Sequence, residues 1–348
     1  MEGASDLDSR VRGAVTRAIG RDAGGWPVSR MAGHASLRSY WRVGTPPDSR
    51  VVMVMPANAR SEEATSGAAP AEDPFVNVQR YLKKMGVRVP AIDAFFASDG
   101  LMVLEDLGDD MLETRLLAGD PAEPLYEAAV DLLARLRARA ERDPDPDCVA
   151  FQRTFDRLLY RWELDHFREW LLESWKGSAL SPTERAVVEH QFDEMAEALS
   201  AEPTSFTHRD YQSRNLMVLP GGEQAVIDFQ DALLGPRQYD LVALLRDSYV
   251  ELEPALVDRM LARYLARFEA EGGPSLDPAS FRATFDLLTV QRKLKDAGRF
   301  VFIDRVKGNP GFLPAIPVSL RYVREALTRR PDLATLREIL SRHVPELA

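Results

Sequence analysis

The stretch His208-Arg209-Asp210-Tyr211-Gln212-Ser213-Arg214-Asn215 is followed, thirteen residues beyond its Asn, by Asp228 within Ile227-Asp228-Phe229. It sets one Asp, one Asn and a second Asp at intervals that constrain this chain more than any other feature. A carboxylate within hydrogen-bond reach of a substrate hydroxyl can take its proton as the oxygen attacks phosphorus. An amide oxygen and a second carboxylate can hold Mg²⁺ against a triphosphate. Mg²⁺ demands near-octahedral oxygen ligation and keeps phosphate and water oxygens, so two hard side-chain ligands suffice. On this reading Asp210 is the base, Asn215 and Asp228 are the metal ligands, and ATP is the phosphoryl donor.

The flanking pattern fits that assignment. Phe206-Thr207 leads into the loop, Leu216 to Leu219 reads as a strand, Pro220-Gly221-Gly222-Glu223 as a turn, and Ala225 to Ile227 as a second strand. Such a hairpin starts one strand at Asn215 and ends its partner at Asp228, so both face one ion. The alternative is that an Asn and two Asp occupy ordinary turns, where these residues are common.

Composition bounds the rest. The chain has 348 residues, 45% of them hydrophobic, enough for one large core or two smaller ones. A net charge of −10 argues against a nucleic-acid partner, because phosphate backbones need a basic face. Cys148 is the single cysteine, so no intrachain disulfide is expected. Met1 to Asp8 lacks an apolar signal core, and no apolar run approaches the ~20 residues that span a bilayer. The expectation is a soluble, cytoplasmic protein with no evident protein partner.

Along the chain, residues 6–19 carry a helical period. Trp41-Arg42-Val43, Val51 to Met55, Phe95-Phe96 and Leu101 to Leu104 read as strands, with a helix from Phe75 to Met85 stopped by Gly86. After Gly108 the pattern becomes mainly helical: 122–142, a long amphipathic helix over 151–176, and a capping box at Ser181-Pro182-Thr183-Glu184 opening a helix to about Leu199. Further helices are expected near 239–252, 254–271, 278–306, 317–329 and 332–342. The fold class is therefore α+β, with a small sheet lobe over residues 1–106 and a larger helical lobe over residues 107–348.

With these residues in view, the chain resembles the aminoglycoside-phosphotransferase-like branch of the protein-kinase-like fold. Within it, the chain is most similar to the anomeric sugar kinases that phosphorylate N-acetylmuramate and N-acetylglucosamine in cell-wall sugar recycling. Besides the stretch above, Gly33 to Arg42, Leu104-Glu105-Asp106-Leu107-Gly108, Asp228 to Ala232 with Tyr239-Asp240-Leu241, and Gln291 to Lys295 carry the resemblance. It implies a nucleotide cleft between two lobes. Gly33, His34 and Ser36 would cover the phosphates, and the hinge around Glu105 and Leu107 would meet the adenine edge through backbone groups.

Kinases of this fold place a Lys on the third strand, paired with a Glu on the next helix. Residues 51–59 contain no basic side chain and residues 75–82 no Glu. Arg42 is the expected replacement on the phosphates, with Arg38 the other candidate. Gln212, Arg214, Gln230 and Asp231 flank the catalytic groups and are expected to touch a sugar acceptor, with Arg214 suited to a carboxylate. His208 is expected to support the loop, and Asp240 to cap a helix N-terminus. Trp162, Phe167, Trp170, Leu171 and Trp175 recur at helical spacing and are read as core. Two alternatives remain open at this stage: another small alcohol as acceptor, such as choline, homoserine or an aminoglycoside, and a nucleotide-binding module without catalysis.

Overall fold

Short apolar runs build the sheet first. The computed structural model describes residues 4–31, 38–55 and 72–348. Helix α1 (Ala4–Ile19) precedes strands β1 (Val28–Arg30), β2 (Ser39–Val43) and β3 (Arg50–Val54); helix α2 (Pro74–Lys84), β4 (Ile92–Phe96) and β5 (Leu101–Glu105) follow. The five strands form one antiparallel sheet in the order β1-β2-β3-β5-β4. Successive side chains on a strand point to opposite faces. Val52 of β3 and Leu101 and Val103 of β5 therefore pack with Val11, Ala14 and Val15 of α1. Val51, Met53, Met102 and Leu104 turn the other way, onto α2 and the main core. Covered on both faces, β3 and β5 read as continuous apolar runs.

The helical part continues with α3 (Leu112–Leu117), α4 (Ala122–Arg142), α5 (Arg157–His166) and α6 (Pro182–Ser200). Four short strands come next: β6 (Thr204–Thr207), β7 (Leu216–Val218), β8 (Gln224–Val226) and β9 (Leu233–Pro236). Helices α7 (Tyr239–Leu245), α8 (Pro254–Ala270), α9 (Pro278–Lys307), α10 (Ile316–Thr328) and α11 (Ala334–His343) complete the chain. β7 pairs with β8 as the expected hairpin, while β6 pairs with β9, a strand the periodicity did not reveal. The Ser181 capping box forms as read, with Glu184 reaching back to the Ser181 amide. No described helix is long and apolar enough to cross a membrane.

One helix departs from its expected course. The stretch read as a single helix over 151–176 breaks at residues 153–155, where the Phe155 amide donates to the Leu234 carbonyl and Leu234 donates back to Arg153. Asp156 then caps α5, its side chain accepting from the Leu159 amide. The helix widens into a π-helical stretch over Phe167–Trp175 and ends before Gly177. Phe167 and Leu171 of the aromatic run are buried, whereas Trp175 is 38% exposed.

The π-helical stretch lies hard against α9. A Cβ on Gly298 would stand 2.5 Å from the His166 carbonyl oxygen and 2.7 Å from the Phe167 Cα, both backbone atoms that cannot step aside. Ala is the better helix former by up to about 1 kcal/mol, so only this close approach favours Gly. Gly298→Ala is expected to lower unfolding stability by about 1–3 kcal/mol in urea titration; an unchanged or raised midpoint would mean the two helices are not in contact here.

Candidate active site

A buried carboxylate shapes the central loop. Asp240 stands in the first turn of α7 with no exposure. Its Oδ2 accepts from the His208 amide at 2.8 Å and its Oδ1 from the Arg209 amide at 2.9 Å. The Arg137 guanidinium, equally buried, donates to Oδ2 at 3.0 Å and to the Thr207 hydroxyl. The expected helix-capping role is not what Asp240 performs: Gln238 occupies the cap position, and the Asp240 side chain serves the loop instead. Arg209 is thereby held at φ +82°, a left-handed conformation that non-glycine residues rarely adopt and that costs on the order of 1–3 kcal/mol.

His208 ties this loop to the second one. Its Nδ1 accepts from the Asp210 amide, and its Nε2 lies 3.0 Å from the Ile227 carbonyl, the residue before Asp228. These partners require the tautomer with the proton on Nε2. The supporting role read from the sequence therefore has a specific geometry. Asp228 is itself left-handed, at φ +62°. Asn215 closes the arrangement: its Nδ2 donates to the Asp210 carbonyl at 2.8 Å, leaving Oδ1 as the acceptor, and its carbonyl accepts from the Ile227 amide. Ser213 is fixed from behind by the buried Asp247 carboxylate.

Asp210, Asn215 and Asp228 line one cavity of about 530 Å³. A larger hollow of about 690 Å³ runs along α1 on the far side of the sheet. There Arg10, Arg12 and Arg17 bond to Asp99 and Trp26, and no set of reacting groups converges. In the central cavity Met31, Tyr40, Val51, Leu104 and Met217 form the apolar part beneath the sheet, and α9 forms the opposite wall. The Asp210 side chain is 39% exposed into the cavity and receives a bond from the buried Arg292 guanidinium at 3.1 Å. Arg292 also donates to the Arg209 carbonyl and lies over the Tyr239 ring. Burial would raise the Asp210 carboxyl, but Arg292, Lys295 and Arg209 outweigh it and hold the group below the ordinary aspartate value. Asp228 moves the other way: burial, with Asp210 and Asp231 nearby, raises it against the single bond from Gln230.

This donor set fits Mg²⁺. Asn215 Oδ1 and the Asp228 carboxylate are hard oxygens, and the raised Asp228 marks an excess of negative charge that a divalent cation relieves. Among the described residues no three His, Cys, Asp or Glu side chains cluster as a self-sufficient metal site. That suits an ion that takes its remaining ligands from phosphate and water.

Several sequence-level expectations find different places. Gly33, His34 and Ser36 lie outside the described residues. Gln212, Gln230 and Asp231 line the cavity, and Gln230 Nε2 bridges Asp228 and Asp231. Arg42 does not line it: the guanidinium is taken by Asp106 and Asp109, which locks β2 to the hinge. Arg38 does line it and is hydrogen-bonded to the half-buried Tyr40 phenol, which faces Asp228 and Asp231. Arg214 is also turned away, paired with Glu113 and stacked 3.5 Å over the Tyr249 ring. Glu105 gives its carboxylate to Arg88 and its amide to the Ala91 carbonyl, and Glu105 and Leu107 both line the cavity. Arg137, Asp240, Asp247 and Arg292 were not singled out as site-shaping groups. Only the Tyr239-Asp240-Leu241 and Gln291 to Lys295 segments signalled two of them.

The chain is similar to known proteins in sequence and in fold. Residues 27–278 match the profile of the phosphotransferase enzyme family. An N-acetylmuramate/N-acetylglucosamine kinase of Pseudomonas aeruginosa is 35% identical over 311 residues, covering 88% of this chain and 86% of that protein. A kinase of the same name from Caulobacter vibrioides is 29% identical over 342 residues, covering 90% and 91%. Among solved structures, choline kinase LicA from Streptococcus pneumoniae superposes with a TM-score of 0.63 at 13% identity, covering 93% of this chain and 99% of that one. The ADP-bound aminoglycoside phosphotransferase APH(2'')-Ib reaches 0.57 at 13% identity, covering 92% and 99%. The fold is thus the two-lobe protein-kinase-like one. The chain belongs to the phosphotransferase enzyme family, whose chemistry is the transfer of a phosphoryl group from ATP.

The opposed carboxyls make the cation's effect measurable without turnover. A carboxyl raised on folding binds its proton more tightly in the folded state, so stability is lost as pH rises through its value. Mg²⁺ is expected to raise the melting temperature more at about pH 7.5 than at about pH 5. Asp228→Asn is expected to raise the metal-free melting temperature at the higher pH and to abolish the Mg²⁺ increment. An increment that survives the substitution would show that the ion binds elsewhere.

Proposed function

We propose that this protein transfers the γ-phosphoryl group of ATP to the anomeric hydroxyl of an amino sugar, N-acetylmuramate or N-acetylglucosamine. The observation that carries this reading is the opening of Asp210, Asn215 and Asp228 into one cavity bounded by an apolar sheet side and a polar α9 wall. The relatives of 29–35% identity, each a kinase of these two sugars, supply the acceptor class.

In this account the base of the nucleotide lies under Val51 and Leu104, against the Leu107 backbone at the hinge. Bound Mg²⁺, held by Asn215 and Asp228, would offset charge on the triphosphate. Asp210 orients the attacking hydroxyl through the oxygen that Arg292 does not hold and receives its proton as the bond to phosphorus forms. A carboxylate kept below its ordinary value is a weak base. An anomeric hydroxyl is more acidic than an ordinary alcohol and needs only modest assistance, so positioning and fixed charge dominate the rate. Arg38, which lines the cavity beside Tyr40, is the residue that can meet phosphate oxygens where kinases of this fold use a third-strand Lys.

ADP release measured with N-acetylmuramate, N-acetylglucosamine, glucose and choline, with and without EDTA, tests the reading. Turnover is expected with the amino sugars alone, to be lost in EDTA, and to yield a product whose phosphorus resonance couples to the anomeric proton. Asp210→Asn is expected to lower kcat by about a hundred- to ten-thousandfold while nucleotide still binds. Preference for choline, or turnover that withstands Asp210→Asn, would refute it.

A further inference from the structure

Both ends of one short helix grip the loop that carries the candidate base. Asp240, in the first turn of α7, holds the His208 and Arg209 amides, and Asp247, just past the end of α7, holds Ser213. Asp247 reaches a second segment as well. Its Oδ2 accepts from the Ser213 amide at 2.9 Å and from the Ser213 hydroxyl, while its Oδ1 accepts from the Tyr249 amide at 3.0 Å. A single buried carboxylate therefore fixes Tyr249 relative to the stretch between Asp210 and Asn215.

Tyr249 lines the cavity, and so do Phe300 and Phe312. The Phe300 ring stacks on Phe312 with centroids 5.8 Å apart, and the Tyr249 centroid lies 6.4 Å from that of Phe300. Arg214, held by Glu113, covers the Tyr249 ring with its guanidinium carbon 3.5 Å from the centroid. Tyr249 also feels the reacting groups: burial raises its phenol, Arg214 opposes the rise, and Asp247, Asp296 and Asp210 add to it. The cavity thus has an aromatic side near Asp210, supplied by α9, the segment after α7 and the turn over residues 310–315 rather than by the sheet.

We infer that the Tyr249 ring, backed by Phe300, receives the acyl group on the nitrogen of the acceptor and makes an N-acylated sugar a better substrate than one with a hydroxyl at that carbon. The inference rests on the amino-sugar reading above and adds the residue that reads the acyl group. In N-acetylmuramate and N-acetylglucosamine alike, the acylated nitrogen sits on the carbon next to the anomeric one. Its methyl is only a few bonds from the oxygen that Asp210 orients, and Asp247 sets Tyr249 against the same loop. A methyl group gains by leaving water for an aromatic face, whereas a hydroxyl gives up its hydration there for little return.

The test compares kcat/KM for N-acetylglucosamine and glucose in the unaltered protein, Tyr249→Ala and Tyr249→Phe, with melting temperatures taken alongside. Tyr249→Ala is expected to reduce the preference for the acylated sugar by about ten- to a hundredfold, chiefly through KM for that sugar. Tyr249→Phe, which keeps the ring, should retain the preference. An equal fall for both sugars would make Tyr249 a packing residue and overturn the inference, as would an unchanged ratio or a loss as large in Tyr249→Phe. Should Tyr249→Ala fail to fold, the unaltered protein decides with N-formylglucosamine, which lacks only the methyl group. Its KM is expected about fourfold above that of N-acetylglucosamine, the worth of one buried methyl group; equal KM values would overturn the inference. Each of these contrary results leaves the kinase reading intact, whereas turnover of none of these sugars by the unaltered protein would remove both together.

Discussion

The bonds between the Asp240 carboxylate and the amides of His208 and Arg209 are the interaction on which the site depends. Burying a carboxylate and a guanidinium costs several kcal/mol per ion after relaxation, and the pair alone seldom recovers it. Here Asp240 gains two backbone donors besides Arg137, so each of its oxygens has a partner. In return the strained turn at Arg209 is held in place, which aims Asp210 into the cavity. His208 carries the same constraint onward to Ile227, and so to the strained Asp228. The hairpin between Asn215 and Asp228 is thus fixed at one end by a charge with no access to water.

Charge is then sorted across the cavity. Asp210 and Asp228 are both carboxylates, yet their surroundings push them apart. Arg292 and Lys295 favour the ionised form of Asp210, while burial next to other carboxylates disfavours it at Asp228. Such separation is how one site assigns different tasks to chemically identical groups. The long helix α9 supplies the positive side of this arrangement, from Arg292 behind Asp210 to Lys307 near its end. Its course is set by the glycine that lets the π-helical stretch approach at Gly298.

The sequence revealed most where local rules act or where the chemistry tolerates one residue type. Helix α4 and the Ser181 capping box followed from periodicity and end signals, and the β7–β8 hairpin followed from turn residues. What it concealed depends on partners distant in the chain. β9 is recognisable only opposite β6, and the break at residues 153–155 exists because that segment bonds to β9. Arg42 and Arg214 look like ligand-binding arginines until Asp106, Asp109 and Glu113 are seen facing them. Asp240 sits where a capping residue belongs, and nothing local shows that its acceptors face a loop thirty residues upstream.

The central claim is that this buried anchor directs two separate loops onto a single cation. Crystals grown with Mn²⁺ and a non-hydrolysable ATP analogue would test it by anomalous scattering. The account predicts a peak bonded to Asn215 Oδ1 and an Asp228 carboxylate oxygen, with triphosphate oxygens completing the shell and Asp210 close by but unbound. A peak away from both side chains, or one reached only after the Arg209 turn relaxes from its left-handed conformation, would contradict it.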